Sequence, residues 1–174
     1  MRMRRLAIYV LLLFAILAVL YVVPAAKATN FYEKALPPQL RTSGFVTSGS
    51  DYGLFGFLTL SREACGAVVF ELSSETIAEI RRDGLSFFRE ATQGRGYPGS
   101  AYYHYQAWQQ TPVPASWFGD GAVSASLHCA GFGRELRRRI GEGSRRGGSF
   151  YTTMSEAQLI VLPDEGIIVL TYFG

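Results

Sequence analysis

Two cysteines, two histidines and one crowded run of aromatic residues are the side chains in this 174-residue sequence with the most chemistry to offer. Neither Cys65 nor Cys129 has a second ligand at the Cys-x-x-Cys spacing of a zinc site. In an oxidising compartment an isolated pair is most simply a disulfide, and Cys65–Cys129 is the bond expected here. The alternatives are two unpaired buried thiols, or a thiol in catalysis or metal binding; the latter needs an activating base that no local spacing supplies. No metal site, cofactor or catalytic set is assigned. His104 and His128 are the only histidines, and both fall in segments that read as strands, where a hydrogen-bonded structural histidine is commoner than a catalytic one. On a strand His128 shares its face with Ser126 and Ser124, yet the repeat of roughly 6.8 Å between i and i+2 is too wide for a direct Ser–His bond.

The aromatic run is the sharper clue. Tyr97, Tyr102, Tyr103, Tyr105, Trp108, Trp117 and Phe118 lie close together in the chain. Extended, residues 102–108 would present Tyr102, His104, Gln106 and Trp108 on one face and Tyr103, Tyr105 and Ala107 on the other. Rings with hydrogen-bonding ends suit glycan or peptide recognition, so Tyr102, Gln106 and Trp108 are the candidate ligand-binding residues. The competing reading is a small β-rich core filled with aromatics.

Known reaction motifs fail on inspection. Gly131-Phe132-Gly133 begins a dinucleotide fingerprint, but Leu136 stands where the third glycine belongs. The glycine-rich stretch Gly141 to Gly148 lacks the Gly-Lys-Ser/Thr ending of a phosphate loop. There is no Gly-x-Ser-x-Gly elbow, no His-Glu-x-x-His pair and no calcium loop.

Location is more legible than chemistry. Arg2, Arg4 and Arg5 precede Leu6 to Val23, an 18-residue apolar run without charge or proline. A helix of that length spans roughly 27 Å, close to the hydrocarbon thickness of a bilayer. Residues 1–28 are therefore expected to be a signal-anchor, with the arginines cytoplasmic and the rest of the chain outside the inner membrane. Ala26-Lys27-Ala28 also fits a small-x-small cleavage site, so a secreted or periplasmic product cut near Ala28 is the alternative. The membrane is one expected partner; an envelope protein or a cell-wall ligand is the other. Four of the 17 basic residues sit in the export segment, leaving 13 against 14 acidic ones, so the sequence pI near 9.0 is no sign of a nucleic-acid partner.

The elements that must position these groups follow from pattern. Pro37-Pro38 and mixed polar residues make 29–43 a linker or a short juxtamembrane helix, and 44–174 one extracytoplasmic domain. Strands are expected at 45–47, 52–60, 65–72, 102–108, 123–129, 158–162 and 167–173, the last two joined by the turn residues Pro163-Asp164-Glu165-Gly166. Ser73 or Ser74 can cap a helix whose apolar face runs from Ile77 to Ala91, with Gly84 either allowing close packing or ending the helix. A short helix over 134–140 is followed by a loop at 141–148. Its arginines, with six basic against two acidic residues from Arg134 to Arg146, read as a solvated face or as an anion or acidic-lipid contact, with Leu136 and Ile140 as core contacts. The sum is an α+β domain: a mainly antiparallel sheet packed by one long and one short helix, preceded by an N-terminal transmembrane helix. Function is expected to be that of an envelope interaction or structural module. Glycan or peptide binding, and a small hydrolase or thiol enzyme assembled only in three dimensions, are the alternatives.

Overall fold

The computed structural model describes residues 30–51 and 65–173. The expected transmembrane or cleaved segment at 1–28 and the expected strand at 52–60 lie outside those residues. No helix among the described residues is long and apolar enough to cross a membrane.

The chain is α+β, as its patterns indicate. Six strands form one antiparallel sheet: β1 (Thr42–Asp51), β2 (Cys65–Leu72), β3 (Gln109–Gln110), β4 (Phe150–Met154), β5 (Ala157–Leu162) and β6 (Ile167–Phe173), in the order β1-β2-β6-β5-β4-β3. The β5–β6 hairpin closes where its turn residues require. Leu162 pairs with Ile167, and Gly166 takes φ 67°, a conformation that disfavours any side chain with a Cβ.

The central strands read Val-Val-Phe, Leu-Ile-Val-Leu and Ile-Ile-Val-Leu rather than alternating apolar with polar, because both faces of the sheet are covered. On one face Ala67, Val69, Ile160, Leu162, Ile167 and Val169 pack with Val123, Leu127 and Ile140. On the other, Phe150 meets Phe88, which in turn stacks on Trp108 with ring centroids 4.3 Å apart.

Among the described residues of the unit that begins at Ala35, three α-helices accompany the sheet, one more than expected, and none is the long helix drawn from the 77–91 pattern; residues 30–35 are also helical. The first, α1 (Ser74–Asp83), starts at Ser73, whose Oγ accepts from the Thr76 N–H at 3.2 Å, and carries Glu75 in its first turn. It stops at Gly84, at φ 56°, whose N–H reaches the Ile80 carbonyl. A Cβ on Gly84 would meet nothing within 4 Å, so this glycine ends the helix and does not serve close packing. A 3-10 turn over Gly84–Phe88 then drives Phe88 into the core.

The second helix, α2 (Ala122–Cys129), replaces the strand expected there. Val123, Ser126 and Leu127 are the buried residues, at helical spacing. The intervening Ala and Ser residues satisfy a two-residue alternation equally well, but they are small enough to sit on any face, and Ala and Leu favour the helix. The third, α3 (Arg134–Arg145), runs five residues past Ile140 through most of the expected glycine loop. Tertiary packing outweighs two glycines: a Cβ on Gly143 would come within 3.2–3.3 Å of both methyl carbons of Leu162, so the helix lies close on β5 there.

The compact unit begins at Ala35. Part of the polar, proline-bearing stretch 29–43 therefore belongs to the domain: Leu36 and Leu40 are fully buried, and Arg95 donates to the carbonyls of Leu36, Pro37 and Leu40. The residues 102–108 are not a strand. Their backbone is irregular apart from an isolated bridge from His104 to Gln93, and regular pairing begins only at Gln109.

Candidate anion-binding groove

Cys65 opens β2 and Cys129 ends α2, and the two form the expected disulfide with Cα atoms 5.8 Å apart. The bond pins the C-terminal turn of α2 to the sheet, and Ser126 adds a second clamp, its Oγ donating to the Tyr172 carbonyl at 2.9 Å. The penultimate residue of that helix, His128, is thereby held facing α3.

Between α2 and α3 runs an open groove of about 730 Å³. Phe118, Ala125 and Leu127 give it apolar surface; Arg134, Arg137, Arg138 and Arg145 line it with Asp120 and Glu142, four cations against two carboxylates. The positions 134, 137, 141 and 145 fall on one stripe of α3. Gly141 occupies the middle of that stripe and is buried, with Arg145 Nη1 and Phe118 Cε1 lying 3.6 and 3.8 Å from where a Cβ would stand.

The arginines of this region divide into two sets. Arg138 is held by Glu135 at 2.6 Å and Glu142 at 2.8 Å, Arg146 by Glu142 at 3.1 Å, and Arg139 by Glu165 at 2.8 Å. The bond from Arg138 holds the Glu135 carboxyl below its ordinary range, and the two glutamates raise the Arg138 guanidinium still further above neutrality. Arg134, Arg137 and Arg145 have no carboxylate within ion-pair distance among the described residues. Arg145 lies over the Phe118 ring, 4.8 Å from its centroid. Arg137 donates from Nη1 to Nδ1 of His128 at 2.7 Å, and its Nε is buried without a partner.

That last contact decides the histidine's chemistry. A guanidinium can only donate, so Nδ1 must accept and the ring proton resides on Nε2. With its acceptor nitrogen occupied, His128 serves as a brace for Arg137 and is not free to take a proton from Ser124, the groove residue one helical turn before it. Ser126, the other serine weighed beside it, points to Tyr172.

The aromatic candidates are placed separately. Tyr102 is 45% exposed and donates to Glu156 at 2.8 Å. Gln106 is exposed, its backbone clipped to Thr152 and Thr153 of β4. Trp108 is only 8% exposed; its Nε1 donates to the Ala91 carbonyl at 2.7 Å. Tyr105 is buried with its hydroxyl on the Ala35 carbonyl, and desolvation pushes its phenol well above the usual range. Trp108 thus points inward while Tyr102 and Gln106 face solvent. His104 is exposed. Among the described residues no three or more of His, Cys, Asp and Glu are placed to hold a metal ion.

The groove was not found from sequence because the helical stripe 134-137-141-145 is invisible once the helix is ended at Ile140. The fold and this groove define an antiparallel α+β domain with a cationic face. Comparison with protein-family models, with curated proteins and with solved structures finds no match for the chain.

Proposed function

We propose that this chain is a membrane-tethered module of the cell envelope, exposed outside the inner membrane, that engages an anionic partner through the α2–α3 groove. One observation carries the reading: among the described residues Arg134, Arg137 and Arg145 line a single groove without carboxylate partners, whereas their neighbours Arg138, Arg139 and Arg146 are neutralised. Unpaired guanidiniums held against an apolar wall offer charge-assisted hydrogen bonds to an incoming anion. Two features support export: the cationic start before an 18-residue apolar run, and a disulfide in the domain that follows. Recognition through Tyr102, Gln106 and Trp108 draws less support, because the ring with the largest area is buried in the core.

The test is calorimetry of the full chain in phosphatidylcholine nanodiscs against citrate and tripolyphosphate. Binding should weaken with salt and be lost in the combined variant Arg134→Gln, Arg137→Gln, Arg145→Gln, with circular dichroism showing that the variant keeps its fold after losing the Arg137–His128 bond and the Arg145–Phe118 contact. Equal binding by the variant, or none by the unaltered chain, would overturn the reading.

A further inference from the structure

We infer that the groove recognises a phosphoryl group carried on an apolar body, the chemistry of an acidic lipid headgroup or of a soluble organophosphate. The inference rests on the reading of the groove as an anion site and adds the class of anion.

Arg134 and Arg137 stand three residues apart on α3, which places their Cβ atoms roughly 5–6 Å from each other on one face. A carboxylate offers two oxygens and one charge: it fills one guanidinium side-on, as Glu135 does with Arg138 through Nε and Nη2, or gives one oxygen to each of two, as Glu142 does with Arg138 and Arg146. A phosphoryl group offers three oxygens and up to two charges, enough to neutralise two guanidiniums as well as bridge them. Arg137 is prepared for this. His128 holds it by Nη1, which leaves the side-on edge, and Nε on that edge lacks a partner. That Nε is buried, so an oxygen reaches it only when the guanidinium turns outward into the groove, and the bond formed there would satisfy a donor otherwise buried at a cost.

The remainder of the groove selects what the phosphoryl group is attached to. A volume of about 730 Å³ is the size of a site for a substituted ligand, far larger than one bare anion. Phe118, Ala125 and Leu127 supply apolar contact along it, and at Gly141 the missing side chain lets Arg145 and Phe118 lie close against the helix. The formal excess of two positive charges on the lining matches a phosphate better than a neutral zwitterionic headgroup.

The experiment titrates the full chain, held in phosphatidylcholine nanodiscs, with three probes: dihexanoyl phosphatidate, inorganic phosphate and hexanoate. Dihexanoyl phosphatidate should bind tightest, inorganic phosphate more weakly and hexanoate weakest. Arg134→Gln and Arg137→Gln should each weaken the phosphatidate about tenfold, with thermal midpoints near that of the unaltered chain. Gly141→Leu, which pushes Phe118 and Arg145 out of their places against this glycine, should weaken phosphatidate more than inorganic phosphate. If inorganic phosphate binds as tightly as the phosphatidate, the phosphoryl assignment stands with a soluble source, and the apolar body is overturned. If hexanoate binds as tightly as the phosphatidate, the phosphoryl assignment fails while the anion site survives. Silence from all three, with citrate and tripolyphosphate also silent, defeats both readings.

Discussion

Trp108 and Tyr102 show how differently two aromatics of one segment are used. The indole lies between Phe88 and Tyr105 with its N–H satisfied inside the protein, whereas the Tyr102 ring is nearly half exposed and holds one surface bond. Trp108→Ala should therefore lower stability by about 3–5 kcal/mol in chemical denaturation, and Tyr102→Phe by less than about 1 kcal/mol. Similar losses for the two would mean that the ring is not core. Glu135 makes a second prediction at this scale. Its bond to Arg138 depresses its titration, so that contact is fully present above the ordinary glutamate value of 4.5 and is lost as pH falls through the lower folded value. Carboxyl NMR should find the Glu135 midpoint below 4.5, and Arg138→Gln should return it upward.

Helix α3 carries two glycines whose replacement should have different effects. A Cβ on Gly141 would reach Arg145 at 3.6 Å and Phe118 at 3.8 Å, ordinary contacts, so Gly141→Ala should stabilise the fold by about 0.5–1 kcal/mol through helix propensity. A Cβ on Gly143 would press on fully buried Leu162, and Gly143→Ala should come out less stable than Gly141→Ala in paired thermal melts. The reverse order would contradict the packing of α3 on β5. The same helix marks where the sequence became hard to read. The β5–β6 hairpin, the Ser73 cap and the cysteine pair were legible because turn chemistry, capping and oxidation are local or nearly binary signals. Residues 123–129 were not, since Val-Ser-Ala-Ser-Leu alternates by two and also repeats by four, and only the sheet beneath chooses. Gly141 and Gly143 mimic a loop in sequence; the close approach that favours glycine at 143 comes from Leu162, distant in the chain. The groove inherits both difficulties, being built from the helix read as a strand and the helix ended too soon.

For the whole molecule, the disulfide joins the sheet to the groove. Replacing both cysteines by serine should cost about 2–5 kcal/mol of stability, and it should also weaken anion binding, because Cys129 anchors the turn that presents His128 to Arg137. Unchanged anion affinity in the folded serine variant would separate the two. The proposed topology predicts that protease added to spheroplasts digests the domain; protection in intact spheroplasts would refute it. The central claim, that Arg134, Arg137 and Arg145 receive an anion which their ion-paired neighbours do not, is tested most directly by NMR. The guanidinium Nε–H signals of the full chain in phosphatidylcholine nanodiscs would be followed while tripolyphosphate is titrated. The account predicts saturable shifts at those three arginines and near-stationary signals at Arg138 and Arg139, held by glutamates. Uniform drift of all five signals, or no movement at Arg134 and Arg137, would contradict it.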